Sequence, residues 1–186
     1  MTFINRRSFF IIPPAAVVAA LIGVSQDVGI EALDAKPLEG ALHASGAPAK
    51  GFRYAQLRGW VTVVHAFASW RPECADECAV LKDYMRNERF QLAGLIVRDN
   101  EQDARAFIEC NGNPYDALAF DTDGRAERSL GVDHVPSTFI LGPDARVVHT
   151  LRGPLTRDYV EQTMMPIIDA ASPLTPLLAS RAVRFA

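Results

Sequence analysis

From Trp60 to Ala68 the chain is an almost unbroken apolar run rich in β-branched residues (WVTVVHAFA). Such a run predicts a strand buried on both faces, as in the middle of a parallel sheet. Pro72 suits the first turn of a following helix, because that turn has no use for the amide that proline lacks. The helix is predicted to reach about Arg89, with Cys74, Cys78, Leu81 and Met85 at helical spacing on one face. Leu92 to Val97 reads as a second buried strand. Asn100 caps the next helix, which turns Ala104, Phe107 and Ile108 inward and stops at Gly112. A short strand (Ala117 to Phe120), a turn at Asp123-Gly124 and a short helix (Arg125 to Leu130) follow. Ser137 to Leu141 pairs with Arg146 to Leu151 as a hairpin around Pro143-Asp144. Thr156 caps a last helix with Val160, Met164, Ile167 and Ile168 inward. Strands alternating with helices, then a hairpin and a helix, predict an α/β fold of three layers, a mixed central sheet with helices on both faces. Ligands in such sheets approach the carboxyl ends of the strands, here the segment Ala68 to Cys78.

The ends differ in pattern. Arg6 and Arg7 precede an apolar stretch over residues 9–24. That order of charge and apolar residues reads as a secretory signal, with Gly23-Val24-Ser25 as small residues at a cut site, or as an N-terminal membrane anchor with its arginines in the cytoplasm. The arginine pair before Ser8-Phe9-Phe10 also fits a twin-arginine signal. Either way the domain is expected outside the cytoplasm, in a bacterial periplasm, where disulfides persist. The domain reading is a signal or anchor over 1–26, a lead-in or linker over 27–50, one globular domain over 51–170 and a tail over 171–186.

Composition narrows the function classes. With about half its residues apolar, the chain can build a core and is not disordered. A net charge of −3 gives no basic footprint for nucleic acid. Three cysteines are too few to staple a miniprotein of 186 residues but enough for a redox or metal site.

Several segments together resemble the DsbE/CcmG family of thioredoxin-fold proteins. They are Gly51 to Gly59, Ala68-Ser69-Trp70, Gly112-Asn113-Pro114-Tyr115, Asp121 to Arg125, Leu130-Gly131-Val132, Val135 to Phe139 and Gly153 to Thr156. The resemblance implies a thioredoxin-like fold and a thiol:disulfide oxidoreductase of cytochrome c maturation in the periplasm. Its partners would be apocytochrome c or its maturation machinery, with a membrane thiol carrier as reductant. No cofactor is expected. It also implies that Pro136 is a cis proline that positions the substrate beside the active-site cysteines.

One departure bears on all of this. The family carries Trp-Cys-x-x-Cys, and this chain has Trp70-Arg71-Pro72-Glu73-Cys74. Arg71 replaces the attacking cysteine and Cys74 keeps the resolving position, so the two-cysteine cycle cannot run at its usual places. The pair Cys74 and Cys78 admits three readings. It is a displaced redox pair, with Cys74 in a first helical turn and Arg71 nearby to favour thiolate. Its Cα atoms would be about 6 Å apart but its Cβ vectors nearly parallel, a poor disulfide geometry. Or, with His134, it is a Cu(I) site of two thiolates and an imidazole. Asp133-His134 followed by Phe139 to Asp144 resembles the Sco copper-chaperone family in that respect. Or both cysteines are small core residues beside Leu81 and Met85. A fourth possibility needs no cysteine at all: a peptide-binding module built on the Val135-Pro136 loop.

Other candidates carry two meanings as well. Glu77 either tunes a neighbouring thiol or is a solvated helix charge. Cys110 reads as a structural thiol, His65 as a hydrogen-bonded core histidine, His149 as an exposed hairpin residue, and Trp70 as a residue beside the site.

Overall fold

The computed structural model describes residues 34–37, 39–43, 45–85 and 87–172. The apolar stretch 9–24 and the tail beyond residue 172 lie outside the described residues. Strand β3 (Thr62–Phe67) is buried along its whole length. β4 (Gln91–Ile96) lies parallel to it, with Val63 opposite Leu92 and Phe67 opposite Ile96. β5 (Ala117–Phe120) continues in parallel beyond β4. On the other side of β3, β6 (Ser137–Leu141) runs antiparallel with Ser137 opposite Ala66, and β7 (Val147–Arg152) folds back on β6. β1 (Asp34–Pro37) pairs antiparallel with β5, and β2 (Phe52–Arg53) with β1. The seven strands stand in the order β2-β1-β5-β4-β3-β6-β7.

Alternation along β3 divides the core in two. Val64 and Ala66 face a cluster that takes in Leu57 of α1 (Tyr54–Leu57) and Ala126 and Leu130 of α4 (Arg125–Leu130). Val63 and Phe67 face the opposite cluster. That cluster holds Cys74 and Leu81 of α2 (Glu73–Lys82), Ala104 and Ile108 of α3 (Glu101–Asn111), and the C-terminal helix. The latter is built of α5 (Arg157–Tyr159), a π-helical stretch over Val160–Met164 and α6 (Met165–Ala171). Val160, Met164, Ile167 and Ile168 are all buried, as their spacing predicts. The caps also follow the sequence. The Asn100 side chain accepts from the Asp103 N–H, and Thr156 from the Tyr159 N–H. Gly112, at φ 76°, ends α3 with its N–H on the Ile108 carbonyl.

Two expectations change. The stretch 27–50 is expected as lead-in or linker, yet β1 begins at Asp34, and Ala41 and Ala49 are buried in the core. Asp-Ala-Lys-Pro carries no readable period; the open edge of β5 decides its pairing. The helix expected to reach Arg89 ends at Lys82, and the chain tightens into successive turns from Val80 to Asn87. Met85 is therefore half-exposed and leaves the buried stripe of Cys74, Cys78 and Leu81. The charged residues from Lys82 to Arg89 offer nothing further to bury. Among the described residues no helix is long and apolar enough to cross a membrane.

Gly94 in β4 makes room for a buried aromatic ring. A Cβ there would lie 2.7 Å from the Tyr115 ring and 2.8 Å from Leu118. The missing side chain lets Tyr115 lie flat against the sheet. G94A is expected to cost about 1–3 kcal/mol by overpacking, read as a lower urea midpoint with unchanged slope.

Candidate functional site

The chain leaves β3 at Phe67 and crosses the carboxyl end of the sheet to α2 through residues 68–72. Trp70 stands on this loop 54% exposed, and its indole Nε1–H donates to the Arg98 carbonyl at 3.0 Å. Arg71 is partly exposed. Its Nη2 lies 3.3 Å from Glu73 Oε1, and its guanidinium sits 5.8 Å from the centre of the Trp70 ring. Inside this rim lies Cys74, wholly buried, with its own N–H bonded to the Arg71 carbonyl at 3.1 Å. One turn further, Cys78 is buried as well.

Both thiols are held protonated. Burial pushes Cys74 up from 9.0 to about 12; a hydrogen bond from the Ala68 backbone opposes this, and the nearby Glu77 adds to it. Burial pushes Cys78 up to about 11, against a hydrogen bond with Tyr115. The helix N-terminus and Arg71, which favour thiolate, lose to desolvation.

Beneath the thiols lies a sealed polar network. Glu77, expected either to tune a thiol or to be solvated, is 1% exposed. Its Oε1 accepts the Leu155 N–H at 2.6 Å, and its Oε2 lies 3.0 Å from His65 Nε2. The other His65 nitrogen, Nδ1, lies 2.7 Å from the Tyr115 hydroxyl, which is 3.7 Å from Cys78 Sγ. The contacts thus run in one chain from Glu77 through His65 and Tyr115 to the sulfur of Cys78. Burial drives the Tyr115 hydroxyl well above its usual pKa, with Cys78 adding to the effect. Tyr115 reaches this place from the Gly112-Asn113-Pro114-Tyr115 segment, where Asn113 Oδ1 accepts the Tyr115 N–H and Asn113 Nδ2 donates to the Leu42 carbonyl.

The Val135-Pro136 peptide is cis and Pro136 is buried. Because Ser137 pairs with Ala66, Pro136 stands beside the end of β3 where the loop to Cys74 begins. The copper set is not assembled. His134 is exposed while both thiols are buried, and among the described residues no group of three His, Cys, Asp or Glu could hold a metal. Cys110 is exposed rather than packed, and His149 is half-buried against the Tyr159 hydroxyl at 2.5 Å.

Two members of the network carry no such assignment in the sequence. Tyr115 has no role there, and His65 is placed in the core without its partners. A signal for the His65 contact is nevertheless present. Glu77 shares the buried face of Cys74 and Leu81, and a carboxylate on a buried face needs a donor from the facing strand.

A parallel βαβ core, a cis proline at the head of an antiparallel strand and a cysteine in the first turn after β3 define a thioredoxin-like protein. The curated relatives carry this further: the chain is similar to DsbE-type thiol:disulfide interchange proteins. It is 31% identical over 117 residues to the thiol:disulfide interchange protein CycY of Rhizobium leguminosarum bv. viciae, covering 63% of each chain. It is 33% identical over 111 residues to the DsbE homologue of Paracoccus denitrificans, covering 60% of this chain and 61% of that one. With HelX of Rhodobacter capsulatus it shares 27% over 165 residues, covering 83% of this chain and 93% of the other. The first of these curated relatives are matched over 57% to 63% of their length. No family model matches. Among solved structures, a secreted Mycobacterium tuberculosis disulfide oxidoreductase homologous to E. coli DsbE superposes with a TM-score of 0.59 at 19% identity, covering 76% of this chain and 98% of that one. The dsbF protein of MTB gives 0.60 at 20% identity, covering 76% and 96%.

The buried thiols set a pH dependence. Above pH 9 the unfolded chain sheds the Cys74 proton, while the folded chain keeps it until about pH 12. Folding stability therefore falls as pH rises through that window, by up to about 1.4 kcal/mol per pH unit for each thiol. Denaturant titrations at stepped pH are expected to show a shallower fall in C74A. An identical slope in C74A contradicts the burial of a protonated thiol.

Proposed function

We propose that this chain is a DsbE-type thioredoxin-like protein of cytochrome c maturation that binds a thiol-bearing polypeptide client without turning over its disulfide. The observation that carries this is Arg71 in the attacking position above a buried, protonated Cys74. Exchange begins when a thiolate attacks a disulfide sulfur and ends when a second thiol releases the mixed disulfide. A guanidinium cannot form the first bond. Cys74 would have to act alone, and a thiol with a pKa of about 12 is thiolate in only about one molecule in 10⁵ at neutral pH.

The surface for a client is intact without that chemistry. Trp70 is exposed and fixed, Arg71 lies beside it, and the Val135-Pro136 loop borders the same end of β3. In this fold the residue before the cis proline pairs with an extended peptide, a contact made by backbone alone. The client we assign is apocytochrome c, presented at its haem-attachment cysteines. The protein works in the periplasm, held to the inner membrane by residues 9–24. The membrane thiol carrier that reduces such proteins would have no disulfide to act on here.

In an insulin-reduction assay with dithiothreitol the natural chain is expected to give the uncatalysed rate. R71C, which completes Trp-Cys-x-x-Cys over residues 70–74, is expected to raise the rate roughly tenfold or more, and R71C/C74A to abolish the gain. A reduced peptide carrying the apocytochrome cysteines should bind the natural chain and C74A alike. Catalysed insulin reduction by the natural chain, or failure to bind the peptide, overturns the proposal.

A further inference from the structure

We infer that Arg98 is the positioning residue of the client surface, a clamp that fixes Trp70 and the approach to the Val135-Pro136 loop in one arrangement. This rests on the client-binding reading above. β4 ends at Ile96, and the Val97 N–H still bonds to the Phe67 carbonyl at 3.0 Å. The next residue, Arg98, has φ 51°, a left-handed conformation that a long side chain rarely adopts. Such strain persists where the surroundings over-determine it, and here the bonds around this turn do so. The Arg98 carbonyl accepts the Trp70 indole N–H at 3.0 Å. Its Nη2 donates to the Val132 carbonyl at 2.7 Å, and its Nε to Glu127 Oε1 at 2.8 Å. The adjoining Asp99 carboxylate accepts both the backbone N–H and the hydroxyl of Ser69, at 2.5 and 2.9 Å.

One strained turn thus joins three parts of the rim. The loop from β3 to α2 carries Trp70, helix α4 carries Glu127, and Val132 opens the segment that leads to Pro136. Without the guanidinium anchors at residues 127 and 132, residue 98 can relax toward negative φ, which turns its carbonyl away from the indole. Trp70 would then lose its fixed orientation on the loop from β3 to α2. An exposed tryptophan contributes most to binding when its ring is held before the partner arrives. The Asp99 carboxylate still holds Ser69, so the loop can keep its register while Trp70 alone is released.

The test reads Trp70 directly. Hydrogen exchange of its indole N–H, assigned with W70F, is expected to be roughly tenfold or more slower than that of a free indole. R98A should bring exchange close to the free rate and weaken binding of the reduced apocytochrome peptide by roughly fivefold or more. R98K can still reach the Val132 carbonyl and should restore most of both. Unprotected exchange in the natural chain overturns the clamp, even if R98A fails to fold. Unchanged exchange in R98A, or unchanged peptide affinity, overturns it too. Exchange is measured without any client. A chain that protects the indole but binds no peptide keeps the clamp and rejects the client instead.

Discussion

A fully buried carboxylate governs this structure. Glu77 would be strongly unfavourable inside the core if left alone, so its two oxygens must each find a donor. One takes the backbone N–H of Leu155 and the other takes His65. Through His65 the network reaches Tyr115, and through Tyr115 the sulfur of Cys78. Four segments meet at it: the centre of β3, the first turns of α2, the loop before β5 and the loop after β7. Gly94 leaves the space that lets the tyrosine in. A satisfied network of this kind rigidifies a core more than its separate bonds would, since the same low dielectric that strengthens each bond makes a broken one costly.

That constraint accounts for the neutral thiols of the site. The network fixes α2 so that Cys74 and Cys78 both point into the apolar layer beneath the rim. Desolvation then outweighs the helix N-terminus and Arg71, and the thiols stay neutral. What remains at the surface is a shape: an exposed indole, a guanidinium, and Asp133 and His134 of the loop that leads to the buried cis proline. The fold retains the cis proline of a thioredoxin and carries arginine where the attacking cysteine would stand.

Most of the fold was legible in the sequence. β3, β4 and β6 are apolar runs of the right length, and the caps at Asn100, Gly112 and Thr156 mark real helix ends. Elements that carry no pattern of their own were not legible. β1 is four residues held by the free edge of β5, and α2 stops early because none of the described residues from Lys82 to Arg89 is buried. The departure at Arg71 is visible in the sequence alone. The partners of Glu77 are not, because they come from positions 12 and 78 residues away and depend on how the layers stack. The exposure of His134, which undoes the copper reading, is likewise a property of the loop's path and not of its residues. Arg98 offered no signal, since a left-handed turn at a non-glycine residue is fixed by tertiary contacts.

The central claim is that this chain has no working dithiol. Its most direct test is to equilibrate the folded protein across a series of glutathione redox buffers, trap it with acid and alkylate the free thiols. Mass spectrometry then reports on each cysteine. The account predicts that Cys74 and Cys78 remain free thiols in every buffer that leaves the protein folded, with any glutathione adduct confined to Cys110. An intramolecular Cys74–Cys78 disulfide, or a glutathione adduct on Cys74, forming reversibly within that range contradicts it.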